Sequence, residues 1–134
     1  MNELFTAIYN ELTTVNSLNT AVGGRIYLGF APQRSSFPFC VFDSVVGVTE
    51  EDFGEERSDF LIQFDIFSQK NSADEAGDVL GYLKTLMDNA SLTVTGWSQV
   101  TFSRGNEYRN NDFTQTPPVH GYSIEYNCII EKTK

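Results

Sequence analysis

The chain has few of the parts from which catalytic and metal sites are built. It carries one histidine, His120, and two cysteines, Cys40 and Cys128, set far apart in the sequence. A Ser-His-Asp or Cys-His site would have to be assembled on His120 alone. That residue lies in a strand-like run just after Pro117-Pro118, where a strand-end surface or interface position is the simpler expectation, because geometry and not residue presence defines a triad. Zinc sites need closely spaced Cys or His pairs, and calcium loops need an Asp-x-Asp-x-Asp-Gly pattern; neither is present. The only Gly-Gly pair, Gly23-Gly24, lacks the strand-then-helix context of a phosphate loop. The expectation is therefore a chain with no catalytic, cofactor-binding or metal-binding residues.

Positive charge is also scarce. Nine basic residues stand against eighteen acidic ones, a net charge of −9. Binding to a nucleic-acid backbone is driven by Lys and Arg displacing counterions, and anionic membranes attract the same residues, so neither partner is favoured. No apolar run is long enough to span a bilayer. The N-terminal MNELFTAIYNEL carries acids and no basic n-region, so no signal peptide is expected. With two cysteines inside apolar strand-like runs, buried free thiols are expected in preference to a disulfide. There is no internal repeat and no low-complexity segment.

Aromatic residues are abundant, with eleven Phe, six Tyr and one Trp. They favour β-rich packing. One hundred and thirty-four residues suit a single domain, 1–134, with one core. The pattern centres on residues 58–69, SDFLIQFDIFSQ. Phe60, Ile62, Phe64 and Ile66 alternate, so they line one face of a strand; Leu61, Gln63, Asp65 and Phe67 form the other. Ser72 and Glu75 have capping-box spacing and open a helix over 73–88, with Ala76, Val79, Leu80, Leu83 and Met87 as its apolar stripe. Gly77 and Gly81 on this helix are expected to let it pack closely on a sheet.

Upstream, Leu4, Ile8, Leu12 and Val15 follow helical spacing, and Asn16-Ser17 ends or breaks that helix before a further turn at Leu18, Ala21 and Val22. Residues 25–29 form a short strand and 39–48 a longer one, in which Phe39, Val41, Asp43 and Val45 share one face and Cys40, Phe42, Ser44 and Val46 the other. Thr49–Glu56 reads as the acidic tip of a long hairpin. Downstream, 92–95 and 97–104 are expected as strand with a bend at Gly96, 104–116 as loop or irregular strand end, and 119–130 as a last long strand. Together these give an α+β domain: a mainly antiparallel sheet with two helices packed on one face. Leu61 and Phe67, on the face no helix covers, mark a contact with another protein. An open sheet edge could pair with a neighbour's edge.

The order of features resembles the tail-completion (tail-terminator) proteins of long-tailed bacteriophages and prophages. The likeness begins in the first helix, LFTAIYNELTTVNSL, and is strongest at residues 23–45, GGRIYLGFAPQRSSFPFCVFDSV. Arg25-Ile26-Tyr27, Ala31-Pro32, Pro38, the strand 60–69 and the helix 73–88 carry it. The resemblance implies a non-enzymatic virion protein that caps the head-proximal end of the tail tube, ends tube polymerisation and forms the joining surface for the neck. It implies a ring of copies of this chain, commonly of six, touching the tail tube protein and a head-completion or neck protein. DNA would pass through without specific binding, and no membrane or cofactor is involved. Such a protein would be found in the virion, and in the host cytoplasm before assembly. Interface or channel-facing residues are then expected at Glu50, Glu51, Asp52, Phe53, Glu55 and Glu56, at Leu61 and Phe67, and at Arg104, Glu107, Arg109 and Asp112. The competing readings are another neck component, such as a head-closure or connector subunit, and a small ligand-binding domain or enzyme built on His120 or a carboxylate in a cleft.

Overall fold

A computed structural model describes residues 2–52, 55–70, 73–88 and 90–132; within these, the side chains of 46–52, 55, 56, 99 and 100 are not described. In chain order the elements are α1 (Asn2–Leu12), α2 (Ser17–Ala21), β1 (Ile26–Leu28), β2 (Phe39–Asp52), β3 (Glu55–Ser68), α3 (Asp74–Met87), β4 (Trp97–Arg109) and β5 (His120–Lys132). The five strands form one sheet in the order β1-β2-β3-β5-β4. All the long pairs are antiparallel, and only the short β1 runs parallel to its neighbour β2. The fold is the expected α+β class, with the predicted central strand in the middle of the sheet.

Alternation in that strand decides where the core lies. Ile62, Phe64 and Ile66 of β3 are fully buried, together with Cys40 and Phe42 of β2 and Ile124, Tyr126, Cys128 and Ile130 of β5. Leu4, Ile8 and Leu12 of α1, Leu18 of α2 and Val79, Leu83 and Met87 of α3 complete the same cluster. Its centre is aromatic: the Phe64 ring meets Phe42 at 6.1 Å and the edge of Tyr126 at 5.6 Å. Cys40 and Cys128 are free and buried in this layer, and burial pushes both thiols up to about 12.

Several local expectations are corrected. Three helices form, not two: α1 stops at Leu12, and Asn16 caps α2 by accepting from the Asn19 N–H at 2.8 Å. Val15 is left fully exposed outside the stripe. The Ser72 half of the expected capping box lies outside the described residues, and the Glu75 carboxylate bonds toward the end of β3. It accepts from the Ser68 hydroxyl at 2.6 Å and pairs with Lys70 at 3.2 Å, while Ala73 occupies the cap position with no side-chain bond. Asn89, the expected C-terminal residue of this helix, also lies outside the described residues. Gly77 and Gly81 do not serve close packing, since a Cβ added at either would meet nothing within 4 Å.

Residues 92–95 are not a strand. Val94 to Trp97 make a four-residue turn closed by the Trp97 N–H on the Val94 carbonyl at 3.0 Å, with Gly96 at φ +82 in its third position. Glycine meets that positive φ without steric cost. Of the two readings of 104–116, the irregular strand end describes its first part, where β4 runs on to Arg109 through a register shift between Arg104 and Glu107, and a loop follows. A second shift, between Ser44 and Val46, sets Val46 opposite Leu61. Strict alternation along 39–48 had placed it with Ser44.

Candidate functional site

The sheet face turned away from the helices is where the unexplained chemistry collects. Its middle is polar and internally bonded. The Ser123 hydroxyl donates to Asp65 Oδ1 at 2.5 Å, Gln63 Nε2 donates to the same oxygen at 2.9 Å, and the Tyr108 hydroxyl donates to Gln63 Oε1 at 2.9 Å. Ser123 is completely buried, so a buried hydroxyl has found the partner it requires. Burial, then Glu125 and Asp65, raise the Tyr108 phenol above its ordinary value. One end of the face is aromatic: the Phe39 ring packs at a tilt against Phe37 at 5.1 Å, Phe67 at 5.4 Å and Tyr27 at 6.2 Å. Phe67 is therefore half-buried, covered partly by β2 and by Gly121, beside which its ring lies. Leu61 is also half-buried on this face. The aromatic strip was missed from sequence, although Phe39 and Val41 alternate on the right face; strand order is what brings them to Phe67.

The other expected positions separate into two groups. Glu50, Glu51, Asp52, Glu55 and Glu56 fall on the paired backbone of the β2–β3 hairpin, with Glu50 opposite Arg57 and Asp52 opposite Glu55. Their side chains, and Phe53 altogether, lie outside the described residues. The pairing of β3 with β5 begins only at Arg57, so the hairpin continues past the shared sheet. Arg104, Glu107, Arg109 and Asp112, in contrast, are engaged within the chain. Arg104 and the Tyr126 hydroxyl both donate to Asp88 at the end of α3, at 2.6 and 2.7 Å, and Glu107 pairs with Lys84 of α3. Burial, then the bond to Asp88, lifts the Tyr126 phenol far above its usual range. Arg109 lies 5.0 Å over the Tyr122 ring. Asp112 accepts from Thr114 and Gln115, bonds that hold its carboxyl below its ordinary value. These four fasten β4 and its loop.

His120 rests edge-on against Phe113 at 5.7 Å, and neither ring nitrogen has a hydrogen-bond partner among the described residues. Among the described residues no three His, Cys, Asp or Glu side chains are grouped to hold a metal ion, and no helix is long and apolar enough to cross a membrane. Two shallow grooves border the helices. One, of about 450 Å³, is lined by Val15, Asn16, Ser17, Thr20, Ala21 and Tyr82; the other, of about 260 Å³, by Asn2, Phe5, Thr6, Tyr9, Leu28 and Phe42. Neither lining contains a histidine or a carboxylate.

The residues that carried the sequence resemblance are structural. The Arg25 guanidinium donates to the Pro38 carbonyl at 2.9 Å and the Phe37 carbonyl at 3.3 Å, fixing the start of β2. The Tyr27 hydroxyl meets the Ser35 hydroxyl at 3.0 Å. Comparison with family models gives a match over residues 6–116 to the family described as tail completion protein gp17. The chain belongs to the tail completion protein family. Membership makes it a structural component of a bacteriophage tail and a virion assembly protein. A search of curated proteins gives no match. Among solved structures, a chain from the virion of a native gene transfer agent particle has the same fold, with a TM-score of 0.81 at 12% identity, covering 96% of this chain and 94% of that one. The tail completion match ends at residue 116 and so leaves out β5, whereas the structural match spans nearly the whole chain.

Proposed function

We propose that this tail completion protein caps the head-proximal end of the tail tube, stops tube polymerisation and presents a joining surface to the neck. Its family match over residues 6–116 carries the reading. The fold likeness to a chain of a gene transfer agent virion supports it. Copies of the chain form a ring, taken as six, with the tail tube protein on one side and a head-completion or neck protein on the other. The protein acts without catalysis, by ending one polymer and starting another contact.

In this arrangement the hairpin acids Glu50, Glu51, Asp52, Glu55 and Glu56, together with Phe53, lie at the channel or at the neighbouring subunit. A negative wall repels DNA and lets it slide. Leu61 and Phe67 supply apolar contact on the outer face. Arg104, Glu107, Arg109 and Asp112 border the same assembly while holding β4 to α3.

The direct test adds the purified protein to polymerising tail tube protein and follows tube length by electron microscopy. Tubes that stop lengthening, with the protein at one end, are expected. Tubes that lengthen unchanged contradict capping, and binding to DNA-filled heads in place of tubes favours a head-side neck subunit. For the hairpin, substituting all five acids by their amides is expected to impair assembly or DNA ejection; unchanged assembly and ejection would remove the tip from both.

A further inference from the structure

The loop joining β4 to β5 holds an aromatic ring in water on a firmly bonded backbone. Its two sides are bridged at Asp112 and Val119, where each N–H donates to the other's carbonyl, at 2.9 and 2.8 Å. The Asn110 N–H donates to the Gly121 carbonyl at 2.9 Å, and the Gly121 N–H donates to Asn111 Oδ1 at 3.1 Å. Gln69, just after β3, donates to the Pro117 carbonyl at 3.0 Å. Between these bonds Phe113 is 65% exposed, its ring meeting His120 edge-on. Aromatic anchors dominate interface energetics, and a segment already ordered loses little freedom on binding. We propose that Phe113 of one copy seats in the groove between α1 and β1 of a second copy. The inference rests on the ring reading above and names the contact that joins neighbours.

Three observations select a second copy as the occupant. The first is the groove itself. Phe5 and Tyr9 of α1, Leu28 of β1 and Phe42 of β2 line it, with Asn2 and Thr6, and none of these side chains is charged. Its volume of about 260 Å³ gives room for one aromatic side chain. Tyr9 and Leu28 are 43% and 46% exposed, so a ring placed between them takes apolar surface out of water.

The second is placement. The groove opens beside β1, at one side of the sheet, and Phe113 follows β4, at the other. Both lie on the helix side. Phe42 packs in the core, and His120, against which Phe113 rests, is in step along β5 with Tyr122 and Ile124, which also pack there. An anchor at one side and a pocket at the other do not meet within one chain. Between copies they make a heterologous contact, the type that closes into rings when the rotation permits.

The third is the size of the contact. One aromatic side chain buries about 150–250 Å², whereas a stable pair of proteins needs about 1,200 Å² or more. A single seated ring therefore leaves free copies apart, and it takes effect where each copy in a ring gives one anchor and receives another. The neighbours of Phe113 in the loop, Asn110, Asn111, Asp112, Thr114 and Gln115, are polar, so no broad apolar patch surrounds the ring to capture an unrelated partner. The Asp112 carboxylate beside it is already bonded by Thr114 and Gln115, which suits an uncharged groove.

Photo-cross-linking in assembled particles tests the seat. Phe113 is replaced by the photoreactive amino acid benzoylphenylalanine in phage carrying the full gene set, the particles are irradiated, and the joined peptides are identified by mass spectrometry. Adducts to residues 2–9 or 28 of another copy of this chain are expected, with a ladder of cross-linked copies on a denaturing gel. Adducts to the tail tube protein or a neck protein instead overturn the second-copy seat and leave capping intact. Protein present in the particles but without any adduct does the same. Protein absent from otherwise complete particles overturns the capping reading and the seat with it. As a second measurement, Phe113→Asp is expected to keep the melting temperature of the free protein, because the ring is mostly exposed, and to lower incorporation into particles by about tenfold or more. Normal incorporation of Phe113→Asp contradicts the seat.

Discussion

The two faces of the sheet are made of the same strands and obey different rules. On the helix side, Ile62, Phe64 and Ile66 of β3 are fully buried among other apolar side chains, with Phe60 partly buried against them. On the other side, the same strand places Leu61, Gln63, Asp65 and Phe67, half-buried, among a hydrogen-bonded carboxylate and an aromatic strip. The helix side holds the protomer together. The other side contributes a polar network and an aromatic strip that are only partly covered within the protomer.

That contrast breaks first at Phe64. Truncation to alanine removes a fully buried ring between Phe42 and Tyr126 and is expected to cost about 3–5 kcal/mol, whereas Leu61→Ala, one residue earlier on the other face, is expected to cost about 1 kcal/mol or less in the free protein. Urea unfolding of the two variants measures the difference. Equal losses would mean that the outer face is as much a core as the inner one.

Gly121 is the point where the outer face tolerates least. A Cβ there would sit 2.1 Å from the Asn110 carbonyl oxygen and 3.1 Å from the Phe67 ring. The backbone is the obstacle, so Gly121→Ala must displace the start of the 110–119 loop. A loss of about 1–3 kcal/mol is expected, read by thermal unfolding.

The inner face also predicts a pH response. Burial raises both thiols from an ordinary value near 9 to about 12. The folded state then holds its protons where the unfolded chain releases them. Stability from this source is complete below pH 9 and falls as pH rises from 9 to 12. Urea midpoints across that range should drop, and Cys40→Ala with Cys128→Ala should flatten the slope while lowering stability at neutral pH. At pH 8 a maleimide should label neither thiol until the protein is unfolded.

The smallest expected effect is a gain. Gly77 and Gly81 lie in α3 with open space around them, so Gly→Ala at each should raise stability by about 0.5–1 kcal/mol by removing glycine's freedom in the unfolded chain. A loss at either position would restore the close-packing role first expected for them.

Much of the inner face could be read from sequence, and the reason is periodicity. Phe60, Ile62, Phe64 and Ile66 at period two, and Ala76, Val79, Leu83 and Met87 at helical spacing, each have one apolar face and one way to bury it. The outer face could not be read in the same way. Its content depends on strand order and on two register shifts, and a shift of one residue moved Val46 across the ladder. The polar composition of 104–116 left loop and irregular strand end both open, and pairing with β5 and contacts to α3 decide its first half as strand. Arg104, Glu107, Arg109 and Asp112 were picked out for their charge. Each has a partner inside the chain, and nothing in the spacing of a single sequence announces such partners.

Capping itself is tested most directly by electron microscopy of particles from a phage that lacks this gene. Filled heads beside unattached tails, many of them overlong, are the predicted result. Complete tails of normal length joined to heads would contradict it.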